Sequence, residues 1–383
     1  MQATINRTRE LLSRGCLFQP ILRGRRTLYW PIAICFVSVF SQLLAAQWTH
    51  GQNLPPLDRP TQPGPMPRVN PNAVPDAPPV EEKKSSSKEV KIEIPAPANL
   101  TLDTKDGVTL HCTFFGAPQD PEKASGKETM PFILLHDWEG DRTDLLPFAL
   151  YLQKLGCAVI VPDLRGHGES IKVAGLNRDL DYKKFRKTEL AAVINDIEEC
   201  KKYLVHRNNE GELNVDMLNV VAVGETSVLA MQWVINDWFL YPDVTAVKQS
   251  KDVKTLTMVA PRKRLSGVNI TPLVKHQLFS GRTGKNLPTL ILWSSGDEVA
   301  GAECASIYEQ MRKGRPDPEE LDDAAEREQQ ETLFSAAIPR TSASGTELIR
   351  QPPVAGVWEY IAKFVASQVL TRKEDMPWQN RER

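Results

Sequence analysis

Leu218-Asn219-Val220-Val221-Ala222-Val223-Gly224-Glu225-Thr226-Ser227-Val228 carries the strongest fold signal in the chain. Its first six residues are almost entirely apolar and predict a buried strand. Residues 229–240 then carry the apolar spacing of a helix. A strand that passes straight into a helix through Gly-x-Thr-x-Val has the place and shape of a nucleophile elbow, Gly-x-Ser-x-Gly, where a tight turn exposes a serine. Thr226 fills the nucleophile slot and Val228 the second small slot. A threonine hydroxyl needs a base before it attacks a carbonyl, and its branched Cβ suits positive-φ backbone badly. Taking Ser227 as the nucleophile instead puts Glu225 and Leu229 in the small slots, which is sterically worse. The expectation is a relaxed elbow in which Thr226 is structural.

Outward from the elbow, strands and helices alternate. Residues 99–104 and 108–115 read as strands around Asp106-Gly107, a hairpin turn signal. Residues 132–136, 158–162, 253–260 and 287–293 are short apolar runs of buried strands, and 331–338 is a last one. Helical periodicity covers 145–155, 185–206, 302–312 and 354–370. A leading hairpin followed by this alternation predicts an α/β fold with a mostly parallel, doubly wound sheet flanked by helices. Residues 314–330, of mixed charge, read as a solvated insert, and 371–383 as a polar, disordered tail.

Four motifs in chain order make residues 98–370 resemble the α/β-hydrolase superfamily (esterases, lipases, dienelactone hydrolases), as a divergent member with a degenerate catalytic triad. His136-Asp137-Trp138-Glu139-Gly140 is similar to the family's His-Gly-x-x-Gly oxyanion turn, with Asp137 in place of the first glycine. Asp163-Leu164-Arg165-Gly166-His167-Gly168-Glu169-Ser170 matches the Asp-x-Arg-Gly-x-Gly-x-Ser turn. The elbow is third. Ser294-Ser295-Gly296-Asp297 resembles the loop presenting the catalytic acid. The resemblance implies a Ser–Asp–His order, with Asp297 in the acid slot and Ser344 where the histidine stands. None of the chain's six histidines follows Asp297. Serine cannot exchange a proton near neutral pH, so general-base help worth about 10² to 10⁴-fold is missing. His136, His167, Glu139 and Glu225 are the only nearby substitutes. The resemblance further implies backbone N–H donors at Trp138 and Ser227 that survive side-chain change, beside a pocket bordered by His136.

The 383 residues are 41% hydrophobic with net charge −1, which fits a globular core and excludes the electrostatic footprint of a nucleic-acid binder. Six arginines precede an apolar run at 28–46, about 19 residues against the roughly 20 that a spanning helix needs. Residues 1–50 are therefore expected to be a signal peptide or an uncleaved anchor that exports the chain and meets the membrane. The proline-rich segment 51–97 is expected to be an unstructured linker, reaching on the order of 100 Å at about 3 Å per residue. Cys112, Cys157, Cys200 and Cys304 lack the spacing of a metal or redox motif, and no cofactor loop is present, so cofactors and metals are expected to be absent.

These features imply an exported protein of hydrolase fold that has lost hydrolase activity. It would act as a binding or scaffolding module for a small molecule or an envelope protein. The alternative is an enzyme cleaving an ester, amide or lactone through Thr226. A purely structural protein without a pocket is the third reading.

Overall fold

A computed structural model describes residues 93–382, apart from 119–125, 176, 241–247, 282–285, 316, 318–321, 323–326, 328–330 and 351–355. The expected export segment and nearly all of the expected linker lie outside these residues, as does most of the insert. Among the described residues no helix is long and apolar enough to cross a membrane.

Among the described residues nine strands form one sheet, a two-residue strand, Lys172–Val173, that pairs antiparallel with the start of β2, and eight along the main path: β1 (Ala98–Asp103), β2 (Val108–Phe115), β3 (Pro131–Leu135), β4 (Ala158–Pro162), β5 (Leu218–Val223), β6 (Val253–Val259), β7 (Thr289–Ser294) and β8 (Leu333–Ile338). Their order across the sheet is β1-β2-β4-β3-β5-β6-β7-β8. β2 runs antiparallel to both neighbours, and every pair from β4 to β8 is parallel. β3, β4 and β5 are buried along their whole length, as a sheet covered on both faces requires. Two apolar cores follow, one on each face. One packs Ile133, Ile160, Val220 and Met258 against Ile197, Leu204 and Trp233. The other packs Leu134, Val159, Val221 and Leu292 against Phe148, Ile361 and Val365.

The flanking helices are α1 (Leu146–Lys154), α2 (Ile194–Asn209), α3 (Ser227–Phe239), α4 (Glu298–Arg312) and α5 (Val357–Val369). The helix expected over 185–206 is divided into Lys187–Ala192 and α2. The second begins where buried Asp196, in its first turn, accepts the backbone N–H of Arg165 at 2.8 Å and the Arg165 guanidinium at 2.8 Å. α4 starts at Glu298 and not near 302, because the Asp297 carboxylate caps it by accepting the Ala300 N–H at 2.9 Å.

The Asp163–Ser170 turn pins the centre of the fold. Asp163 accepts from the backbone N–H of Arg142 (2.8 Å) and of Glu169 (2.9 Å), and pairs with the Arg142 guanidinium. Arg165 bridges Asp196 to Asp106 in the β1–β2 turn. A Cβ at Gly168 would meet Asp163 Oδ2 at 2.2 Å, and φ there is +48°, so the turn requires glycine.

Two corrections concern the ends. The tail expected to be disordered is docked: Met376 is in the second core, and Arg381 is buried against Asp252 at 2.7 Å. Its polar composition hid partners that are themselves polar. At the other end, Pro95, inside the expected linker, already accepts a hydrogen bond from buried Gln153 at 2.9 Å. The four described cysteines are buried and free.

Candidate functional site: an elbow without a nucleophile

The C-terminal ends of β3, β5, β6 and β7 bring four loops together. At the elbow the positive φ expected of the nucleophile falls on Gly224, at +58°. Thr226, two residues later, has φ −65° and ψ −13°, ordinary right-handed backbone. Its side chain is fully buried, and its hydroxyl donates to two backbone carbonyls, His136 at 2.8 Å and Val223 at 2.7 Å. The nucleophile position is therefore Gly224 and not Thr226, because the sharp change of direction lies two residues earlier than the motif suggests. Ala222 and Thr226 then occupy the flanking slots. The apex carries no side chain.

The reason lies in Asp137. Its Oδ1 accepts the backbone N–H of Trp138 at 2.8 Å and of Glu225 at 3.1 Å. In an elbow of this kind the N–H after the nucleophile and an N–H from the turn after β3 are the two oxyanion donors. Here they are Glu225 and Trp138, and both are engaged by the carboxylate of Asp137. The expected donor Ser227 does not serve, since its N–H is turned back to the carbonyls of Glu225 and Gly224, and its hydroxyl is buried. A Cβ at Gly224 would lie 2.0 Å from Asp137 Oδ1. A Cβ at Gly345, where φ is +50°, would lie 2.6 Å from Asp137 Oδ2. The two glycines and the carboxylate are a matched set. Burial raises the Asp137 pKa above the usual carboxylate value, against the pull of the two N–H groups, His136 and Arg262.

The acid and histidine slots do meet. Ser344 first, and then Arg262, hold the Asp297 carboxyl below its ordinary pKa. Arg262 donates from Nη2 to Ser344 Oγ at 3.2 Å and lies 4.0 Å from Asp297 Oδ2. Its backbone N–H reaches the Gly224 carbonyl at 3.3 Å. A guanidinium thus stands among the elbow, the acid and the degenerate histidine slot. It donates hydrogen bonds and accepts none.

Of the substitute bases, the two histidines are committed elsewhere, and Glu139 is exposed. His136 is fully buried. Its Nε2 accepts the Leu164 N–H at 3.1 Å, which leaves Nδ1 to donate to the Asp137 carbonyl at 2.7 Å, and burial lowers its pKa. His167 is stacked on Tyr182 with ring centroids 4.0 Å apart, and burial pushes its pKa down to about 4. Trp138 is not in a pocket wall. It is 5% exposed and packs edge-on to His167, Tyr182 and Phe185. Glu225 lines a cleft of about 410 Å³ with Arg262, Lys263, Arg264 and Glu303. Burial first, then the nearby Asp137 and Glu139, raises its pKa. The cleft is charged, not aromatic. Among the described residues no group of three His, Cys, Asp or Glu side chains is placed to hold a metal.

The sheet order, the tight turn from β5 into α3 and the Asp297 turn after β7 decide the architecture. It is the α/β-hydrolase fold. No protein-family model and no curated relative matches the sequence. Among solved structures, similarity is found to an esterase of Pyrococcus furiosus (13% identity, TM-score 0.43, 73% of this chain and 92% of that one). A dienelactone hydrolase of Anabaena variabilis is similar at 14% identity and TM-score 0.44, over 73% of this chain and 99% of that one. An esterase of Thermogutta terrifontis, phosphoramylated by tabun, is similar at 12% identity and TM-score 0.48, over 74% and 96%.

Sequence reasoning missed Gly224, Gly345 and Arg262 as parts of the site, and read Asp137 only as a substitution. The signal for Asp137 was present: a carboxylate replaces the first glycine of a turn whose amides serve the oxyanion. Nothing in the sequence marks Arg262.

Proposed function

We propose that this protein is a hydrolase-fold binding module without hydrolytic activity, exported and tethered to the membrane by its N-terminal segment. The observation that carries the inactivity is the Asp137 carboxylate on the Trp138 and Glu225 amides, above an apex that is glycine. Acyl transfer in this fold needs a nucleophile, a proton acceptor and free oxyanion donors. Here the apex bears no side chain, serine stands in the histidine slot, and both donors are engaged. The second reading, with Thr226 as nucleophile, is disfavoured because its hydroxyl is buried and directed at two carbonyls. Export rests on the arginine-flanked apolar run and the long proline-rich segment after it.

The cleft beside the elbow suits a polar, charged small molecule or a charged protein loop, because its lining offers both cations and carboxylates. The full chain is to be assayed against short-chain p-nitrophenyl esters and thioesters. The expected result is turnover no faster than the Thr226→Ala and Asp297→Ala variants. Turnover that either substitution abolishes would overturn the proposal. A reporter enzyme active only outside the cytoplasm, fused after residue 97, tests export by its activity.

A further inference from the structure

The C-terminal segment lies in a cradle far more specific than a packed tail needs. Asn208 and Asn214 are buried, and each turns its amide nitrogen to the segment's main chain: Asn208 to the Gln379 carbonyl at 2.9 Å, Asn214 to the Met376 carbonyl at 2.8 Å. Both side-chain oxygens are fixed by cradle amides, Val215 N–H on Asn208 and Asp216 N–H on Asn214, each at 3.0 Å. The two donors are therefore held ready by the domain itself. Asn209 accepts the Arg381 N–H at 2.8 Å. The Trp378 indole donates to the Asn208 carbonyl at 3.1 Å, under the Lys127 ammonium 4.1 Å from its ring centroid. Met376 fills an apolar slot. Arg381 enters a buried socket, donating to Asp252 Oδ1 at 2.7 Å and to the Lys248 carbonyl at 2.7 Å. The socket carboxylate also faces Lys201 at 2.8 Å, but that ammonium is shared with buried Asp237, so the pair of carboxylates keeps a negative charge for the arginine to meet.

Fixed side-chain amides that donate to a segment's main-chain carbonyls, one aromatic site and one arginine socket are components by which a protein reads an extended peptide. We infer that the surface formed by the C-terminal end of α2, residues 210–217 and the N-terminal end of β6 is a peptide-binding site. Its ligand class is an extended segment with the pattern apolar–Pro–aromatic–x–x–Arg. Its occupant is this chain's own residues 376–381, held in cis. The site lies at the end of the parallel strands opposite the elbow, and it stands whether or not the elbow is active. A kink precedes the segment, where Arg372 leaves helical backbone at φ −119° and ψ 21°.

The test uses a fluorescein-labelled peptide of residues 376–382 and fluorescence anisotropy. The full chain carrying Trp378→Ala and Arg381→Ala loses its own occupant and is expected to bind the peptide at least about tenfold more tightly than the unaltered chain. A peptide with Arg381→Ala is expected to bind that variant at least about tenfold more weakly. Equal binding to both chains, or none to the variant, overturns the inference. If the variant does not fold, amide hydrogen exchange of the unaltered chain decides. The Arg381 amide, which donates to Asn209, exchanging about a hundredfold or more below the unstructured rate supports the site, and its exchange at the unstructured rate overturns it.

Discussion

Gly224→Ala tests the match between the elbow and Asp137 directly. The added methyl would lie 2.0 Å from Asp137 Oδ1 and 2.4 Å from Oδ2, so the carboxylate must leave. Two costs follow. Positive φ at a residue with a Cβ costs about 1–2 kcal/mol. Taking the carboxylate off the Trp138 and Glu225 amides costs about 1–3 kcal/mol more, because buried donors are left unmet. The substitution should therefore destabilise the chain by about 2–5 kcal/mol. With Asp137→Ala in place the second cost is already incurred, and Gly224→Ala should then cost only the backbone part, about 1–2 kcal/mol. A double-mutant cycle in urea should thus show coupling of about 1–3 kcal/mol between positions 87 residues apart in sequence. If Gly224→Ala costs the same with and without the Asp137 carboxylate, the carboxylate does not occupy the elbow.

Other predictions concern single groups. Thr226→Val keeps the shape but removes the hydroxyl from two carbonyls, and should lower stability by about 1–2 kcal/mol in urea melts without altering any ester turnover. Ser344→His restores an imidazole beside Asp297 and should still give no turnover of p-nitrophenyl acetate, because the apex has no nucleophile and the donors remain occupied. His167 has a folded pKa of about 4 against an ordinary 6.5. Being depressed for a base, its contribution is fully present above pH 6.5 and is lost as pH falls toward 4, by about 3 kcal/mol. Urea midpoints at pH 7 and 4.5 check this, and His167→Gln should flatten the dependence. Arg381→Ala should cost several kcal/mol, on the order of 3, because a buried ion pair is broken on one side; a thermal melt reads it.

The strands and most helices were legible because burial on both sheet faces leaves apolar runs, and because the Asp163–Ser170 turn is a dense local pattern. The meeting of Asp297 with Ser344 was legible in the same way, since two loops after consecutive parallel strands end at the same edge. The elbow's register was not. Gly224-Glu225-Thr226 and Ala222-Val223-Gly224 both offer a strand, a small residue and a helix. What separates them is a carboxylate 88 residues before Glu225, which claims the space a side chain at the apex would fill. The docked tail was illegible for a related reason. Hydrophobic patterning finds apolar partners, whereas Trp378, Gln379 and Arg381 are held by asparagines, carbonyls and an aspartate that no periodicity reveals.

The elbow holds no reactive nucleophile. An organophosphonate ester probe, which labels the activated hydroxyl of a working elbow, tests it most directly on the unaltered full chain. No covalent adduct is expected by intact-mass spectrometry at a concentration that labels an active esterase to completion. A stoichiometric adduct mapped to Thr226 or Ser227 would contradict it.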